Sequence, residues 1–184
     1  DFVPVVPQQG SVGASGDLAP LSHMAGAMMG AGEAWVRGHR MDAAEGLREA
    51  GLEVLAPAAK EGLALINGTE IMKASAVVSV LRASNISRAA DAIASLSIEA
   101  LKGSDRPFQD LLARLKNNEG QRRTASNVRA CLANSEVLAS HADCDRVQDP
   151  YSLRCVPQIH GAVKTALAHV TEVLRAELNA VTDN

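Results

Sequence analysis

The chain has 184 residues, 47% of them hydrophobic and 21% charged, a balance that supplies a sizeable core and excludes intrinsic disorder. Its net charge of -3 offers no basic field to a phosphate backbone, so nucleic acid is not an expected partner. The longest uncharged runs, Phe2 to Gly16 and Leu18 to Gly32, are broken by Pro and Gly and fall short of the ~20 apolar residues of a bilayer span, so no membrane is expected either.

The chain opens on Asp1-Phe2-Val3-Pro4, without an initiating Met or a basic region leading into an apolar one, which reads as the interior of a longer chain with no signal peptide. Asp17 is placed to cap a helix that carries Pro20 in its first turn and continues to Gly32. Ala34 to Met41 reads as a short hairpin around Gly38, and Ala43 to Ala50 as a brief helix. From Thr69 to Lys102 there is neither Gly nor Pro, which predicts one long helix whose Ala and Ser content suits close helix packing. Shorter helices are expected over Pro107 to Leu115 and Thr124 to Leu138, separated by a polar loop from Lys116 to Arg123. A last long helix, Pro157 to Val181, carries the apolar stripe Ile159, Val163, Leu167, Val170, Leu174, Leu178 and Val181. The expected fold is mainly α, a long-helix bundle with one short β-hairpin. Residues 1–68 form a segment of loop, helix and hairpin, and residues 69–184 a long-helix segment, within one larger domain.

Cys131, Cys144 and Cys155 are odd in number, widely spaced and free of any Cys-x-x-Cys pair, which predicts reduced thiols and a cytoplasmic setting. His141 with Cys144, and Cys155 with His160, permit a zinc reading, but a second short-spaced ligand pair is missing and no metal is expected.

The most informative segment is Gly13-Ala14-Ser15-Gly16-Asp17. If the amide nitrogen of Gly16 reaches the carbonyl carbon of Ala14, a five-membered ring closes, and small residues are required at that contact. Loss of two waters, one from the Ser15 hydroxyl, leaves an imidazolone with an exocyclic methylidene, an electrophile made without an external cofactor. Three residues alone are weak evidence, and a flexible turn entering a helix is the plain alternative. A serine-hydrolase elbow fails because the sequence misses Gly-x-Ser-x-Gly and no strand is predicted before it. Phosphate binding by Gly10, Gly13 and Gly16 fails because no Gly-Lys-Ser/Thr follows.

The wider segment Val12 to Leu21 resembles the signature of the aromatic amino acid lyases, which carry the methylidene-imidazolone group. Glu61-Gly62-Leu63-Ala64-Leu65-Ile66-Asn67-Gly68-Thr69 resembles that family's second motif. Gln148-Asp149-Pro150-Tyr151-Ser152-Leu153-Arg154-Cys155, followed by Pro157-Gln158, resembles its third. Pro150 and Cys155 are similar to the histidine-processing branch, the histidine ammonia-lyases, whereas Gln8-Gln9 and Val156 depart from the residues common beside these motifs.

The resemblance implies elimination of ammonia from L-histidine to give trans-urocanate, by a cytoplasmic homotetramer with shared active sites. It places the prosthetic ring at Ala14, Ser15 and Gly16 and a proton-handling tyrosine at Tyr151. Asn67 and Gln148 are placed near substrate or ring, and Arg154 on the substrate carboxylate, for which a bidentate guanidinium is suited. Local alternatives stand beside these: Asn67 as a helix cap with Glu70, Tyr151 as a core residue, and Arg154 in a surface salt bridge. The resemblance also implies that the chain is a central portion, stopping at Thr182-Asp183-Asn184. A base tyrosine upstream and a substrate-contacting glutamate downstream are absent from it. Phenylalanine or tyrosine as substrate, an aminomutase outcome, and an inactive helical scaffold remain as alternatives.

Overall fold

The structure, a computed structural model, describes residues 1–181, so the final three residues of the expected 69–184 segment lie outside the described residues. The chain divides into two compact units, residues 1–77 joined by those from Arg175 onward, and Val78–Leu174. Helix dominates, as the composition predicts, and the β element has three strands rather than the two of a hairpin.

The first unit contains β1 (Phe2–Pro4), α1 (Leu18–Met28), β2 (Glu33–Val36), β3 (His39–Asp42), α2 (Ala43–Ala50) and α3 (Glu61–Ile66). The strands pair antiparallel in the order β1-β2-β3, with Phe2 opposite Val36 and Val36 opposite His39. Ala34 and Val36 point inward while Glu33 and Trp35 face out, the period-2 pattern of a half-buried strand. Arg37 and Gly38 both have positive φ (47° and 84°), the two-residue turn that matches strand twist. The Asp42 carboxylate caps α2 by accepting from the Ala44 and Glu45 amides, and Gly51 closes it in the left-handed region at φ 69°. Leu21, Ala25, Ala27, Ala34, Val36, Ala43 and Leu47 are buried. β1 escaped the sequence reading because three residues ending in Pro carry no pattern; their pairing to β2 is non-local. α1 also ends at Met28, short of the expected Gly32, because Gly30 and Gly32 take left-handed φ values that a helix does not accept.

The long helix α4 (Glu70–Ala100) and the last helix α9 (Val156–Leu178) run through both units. The second unit adds a 3-10 turn at Arg106–Phe108, α5 (Asp110–Lys116), α6 (Glu119–Cys131), α7 (Glu136–Ala139) and α8 (Tyr151–Arg154). Two expected helices are corrected here. The Pro107 to Leu115 helix breaks at Gln109, whose extended ψ of 139° separates the 3-10 turn from α5. The expected Thr124 to Leu138 helix begins five residues earlier, at Glu119, because the Asn118 side chain accepts from the Gln121 amide at 2.9 Å. It is interrupted between Cys131 and Glu136, where Asn134 has φ 61° and Ser135 caps α7.

The core of this unit is Ile98, Phe108, Ala113, Ala125, Val128, Leu132, Leu153 and Val156. α6 and α9 touch backbone to backbone: a Cβ on Gly120 would overlap the Gly161 carbonyl oxygen, and one on Gly161 would sit 2.6 Å from the Gln121 amide nitrogen. By length and mean hydropathy the stretch 61–100 would pass as a bilayer-crossing helix. Yet it carries Asp91, 1% exposed, whose carboxylate accepts from Asn127 Nδ2 at 2.7 Å and meets His160 Nδ1 at 2.9 Å. Lys164 Nζ lies 2.9 and 3.0 Å from its two oxygens. A buried charge persists only with such partners, so this cluster ties α4, α6 and α9 together.

Candidate active site

In the first unit the segment Gly10 to Asp17 doubles back on itself, with left-handed φ at Gly13 (63°), Ser15 (55°) and Gly16 (85°). Three such values in four residues are uncommon, and Ser15 is a non-glycine held there. Ala14 and Ser15 are exposed, whereas Gly16 is pressed against the second motif: a Cβ on it would overlap the Gly68 carbonyl oxygen and reach the Gly68 carbonyl carbon at 3.2 Å. Only a glycine fits at this contact, and it is the residue whose nitrogen the expected ring needs unhindered. The structure therefore brings Gly16 against Gly68, the residue that follows Asn67 in the chain.

Asn67 ends α3, and its Nδ2 donates to the Leu63 carbonyl at 2.8 Å. The Asp17 side chain does not cap α1, contrary to expectation: it stands in the capping position at φ -107°, ψ 75°, and its carboxylate accepts from the Ser11 hydroxyl instead. Asp17 is 8% exposed, and its main-chain carbonyl still starts the helix by accepting from the Leu21 amide at 3.2 Å. Ser11 and Asp17 line a cleft of about 440 Å³ together with Pro20, Ile71, Met72 and Ser75.

The second unit holds Gln148, Tyr151 and Arg154. Leu153 and Val156, both buried, root this segment in the core, so the residues between and before them are presented from a fixed base. Tyr151, the first residue of α8, is 70% exposed, which core packing does not account for. The Arg154 guanidinium sits over its ring at 5.5 Å from the centroid. Arg154 Nε donates to the Asp149 carbonyl at 2.8 Å, and no ion pair takes up its terminal nitrogens among the described residues. Gln148 is exposed and, with Arg154, borders a cavity of about 970 Å³ that also meets Lys102, Arg106, Lys116 and Arg146. Asp105 and Asp149 line it too, so basic side chains outnumber acidic ones around it, a balance suited to a carboxylate.

Asp149 is the residue whose part the sequence left unassigned. Its carboxylate, 8% exposed, accepts from the Ser104 amide at 2.6 Å and from Arg146 at 3.1 Å. Side chain and carbonyl together lock the turn that aims Tyr151 and Arg154. An aspartate before a proline was a visible signal, but its partners lie up to 45 residues away.

Among the described residues no group of three or more His, Cys, Asp or Glu is arranged to hold a metal ion, and the three cysteines are free thiols.

The family profile described as aromatic amino acid lyase matches residues 1–184. A histidine ammonia-lyase of Sorangium cellulosum (strain So ce56) is 52% identical over 181 residues, covering 98% of this chain and 35% of that protein. Among solved structures, histidine ammonia-lyase from Trypanosoma cruzi superposes with a TM-score of 0.76 at 39% identity, over all of this chain and 33% of its own. Phenylalanine aminomutase from Pantoea agglomerans does so at 0.80 and 34% identity, over all of this chain and 38% of its own. The chain thus spans about a third of the length of the relatives it matches.

Proposed function

Because the chain belongs to the aromatic amino acid lyase family, we propose that a full-length protein carrying it removes ammonia from L-histidine to give trans-urocanate, on a methylidene-imidazolone ring made from Ala14, Ser15 and Gly16. The observation that carries this is the loop geometry: a left-handed Ser15 followed by a Gly16 that has no room for a side chain against Gly68. The residues fit the ring, since its nitrogen donor is the least hindered residue type and its serine is exposed for loss of the hydroxyl. Once formed, the ring supplies an electrophile that turns a poor amine leaving group into a better one.

The remaining work belongs to side chains. Arg154 keeps its terminal nitrogens available for the substrate carboxylate while Nε is tied to Asp149. Tyr151, exposed and braced by that guanidinium, holds or passes a proton at its phenolic oxygen. Asn67 and Gln148 hydrogen-bond substrate or ring. Removal of a β-proton and departure of the amine together leave the new C=C bond, and preorganised positioning is the protein's share of the barrier. The family resemblance implies a cytoplasmic homotetramer with shared sites, and the exposed apolar residues along α4, among them Leu81, Ile86, Ile93 and Leu96, are compatible with burial by further protein.

The similarity to a phenylalanine aminomutase favours a second reading, in which phenylalanine or tyrosine is the substrate and the amine is eliminated or moved. Incubating the full-length protein separately with histidine, phenylalanine and tyrosine, and following the unsaturated product, decides between them. Turnover of histidine alone is expected. A β-amino acid or a cinnamate-type product from the other two substrates selects the second reading, and no turnover of any leaves only the scaffold alternative.

A further inference from the structure

The tripeptide that cyclises is bracketed by a single hydroxyl. Ser11 Oγ accepts from the amide of Gly13, the residue just before Ala14, at 3.3 Å, and donates to the carboxylate of Asp17, the residue just after Gly16. We propose that Ser11 is a positioning residue for ring formation, a side-chain staple that holds the two ends of Ala14-Ser15-Gly16 together so that the Gly16 nitrogen faces the Ala14 carbonyl carbon. The inference rests on the proposed methylidene-imidazolone and deepens it.

The physical case is one of search and commitment. Cyclisation forms the bond from Gly16 nitrogen to Ala14 carbon. The Ala14 oxygen leaves as one water with the amide hydrogens of Gly16 and Ser15, leaving a C=N bond between Ala14 carbon and Ser15 nitrogen, and the second water takes the Ser15 Cα hydrogen and hydroxyl to leave the methylidene. Nothing in that chemistry proceeds unless an otherwise floppy glycine-rich turn spends its time in the closed geometry. Ser11 closes the loop at the cost of fixing only the short stretch to Asp17. The Asp17 carboxylate, nearly buried, needs a donor, so the staple is held from its acid end by the penalty of leaving that group unpaired. The acceptance from Gly13 then fixes the hydroxyl's direction, leaving its hydrogen for Asp17.

The test uses the full-length protein with Ser11→Ala, Ser11→Cys and Ser11→Thr. Each is followed by intact mass, for the loss of two waters, and by the near-ultraviolet absorption of the ring during expression and after purification. Circular dichroism and gel filtration report whether the fold and assembly are kept. Ser11→Ala is expected to cyclise at least about tenfold more slowly, the effect of losing one hydrogen bond to a charged group. Ser11→Cys keeps the shape and weakens the donor, so it is expected to lag as well even if the alanine variant folds poorly. Ser11→Thr restores the hydroxyl and the rate. Cyclisation of a folded Ser11→Ala or Ser11→Cys protein as fast and as completely as the parent overturns the staple. A parent protein that is active yet lacks the two-water deficit instead overturns the ring itself.

Discussion

The two segments that bear the candidate chemistry are held in opposite ways. The Gly10 to Asp17 loop of the first unit is shaped by backbone freedom: left-handed glycines, a left-handed Ser15, and a contact with Gly68 that excludes any side chain. The Gln148 to Arg154 segment of the second unit is shaped by side chains, with Asp149 gripped by Ser104 and Arg146 and with Leu153 sunk in the core. A segment that must rewrite its own covalent structure needs a backbone able to approach itself. A segment that must receive a ligand needs rigid anchors that leave one exposed tyrosine and one open guanidinium. Substitutions should therefore fail differently in the two places.

The largest effect is expected from Gly16→Ala. A Cβ there meets the Gly68 carbonyl and opposes φ 85°, so ring formation and activity should both vanish while overall helix content stays. Intact mass and circular dichroism on one sample check this, and a cyclised Gly16→Ala protein would erase the distinction drawn above. Next comes the interior of the second unit. Lys164→Met removes the cation from a carboxylate that is 1% exposed, and should cost about 3–5 kcal/mol in denaturant unfolding. A loss below ~1 kcal/mol would mean that His160 and Asn127 suffice.

Smaller still, Arg154→Ala should reduce kcat/KM by about 10- to 100-fold, the range for a lost charge-assisted contact, and leave the two-water deficit untouched. Loss of the ring's near-ultraviolet absorption in that variant would break the separation between making the electrophile and holding the substrate. The smallest effect belongs to a pair outside both segments. The Arg40 guanidinium, hydrogen-bonded across β2 and β3, holds the Glu33 carboxyl below its ordinary value. A depressed carboxylate stabilises the fold above its unfolded pKa and loses that contribution as pH falls through the folded one. The pair is exposed, so Arg40→Ala should raise the Glu33 titration midpoint in NMR while barely moving the melting temperature.

Much of the fold was legible because its signals are local. The run from Thr69 to Lys102 without Gly or Pro marked α4, observed over Glu70–Ala100, Gly38 marked the hairpin turn, and Ala43–Ala50 was read at its observed ends. The interrupted helices were misread although their signals were present: Asn118 and Ser135 cap, and Asn117 and Asn134 take left-handed turns. An apolar pattern that continues across a break hides it. The three motifs were visible as words, but not what holds them. Asp91 looks like one more charge on a long helix until Asn127, His160 and Lys164 arrive from 36 to 73 residues away. Asp17 was expected to serve the helix after it, and serves the loop before it, because Ser11 is within reach and hydroxyl-to-carboxylate bonding is strong.

The most direct measurement is the intact mass of the full-length protein beside its Ser15→Ala variant. A deficit of two waters in the parent, absent from the variant together with activity, is the expected result. An active parent of full, unreduced mass would contradict the account at its root.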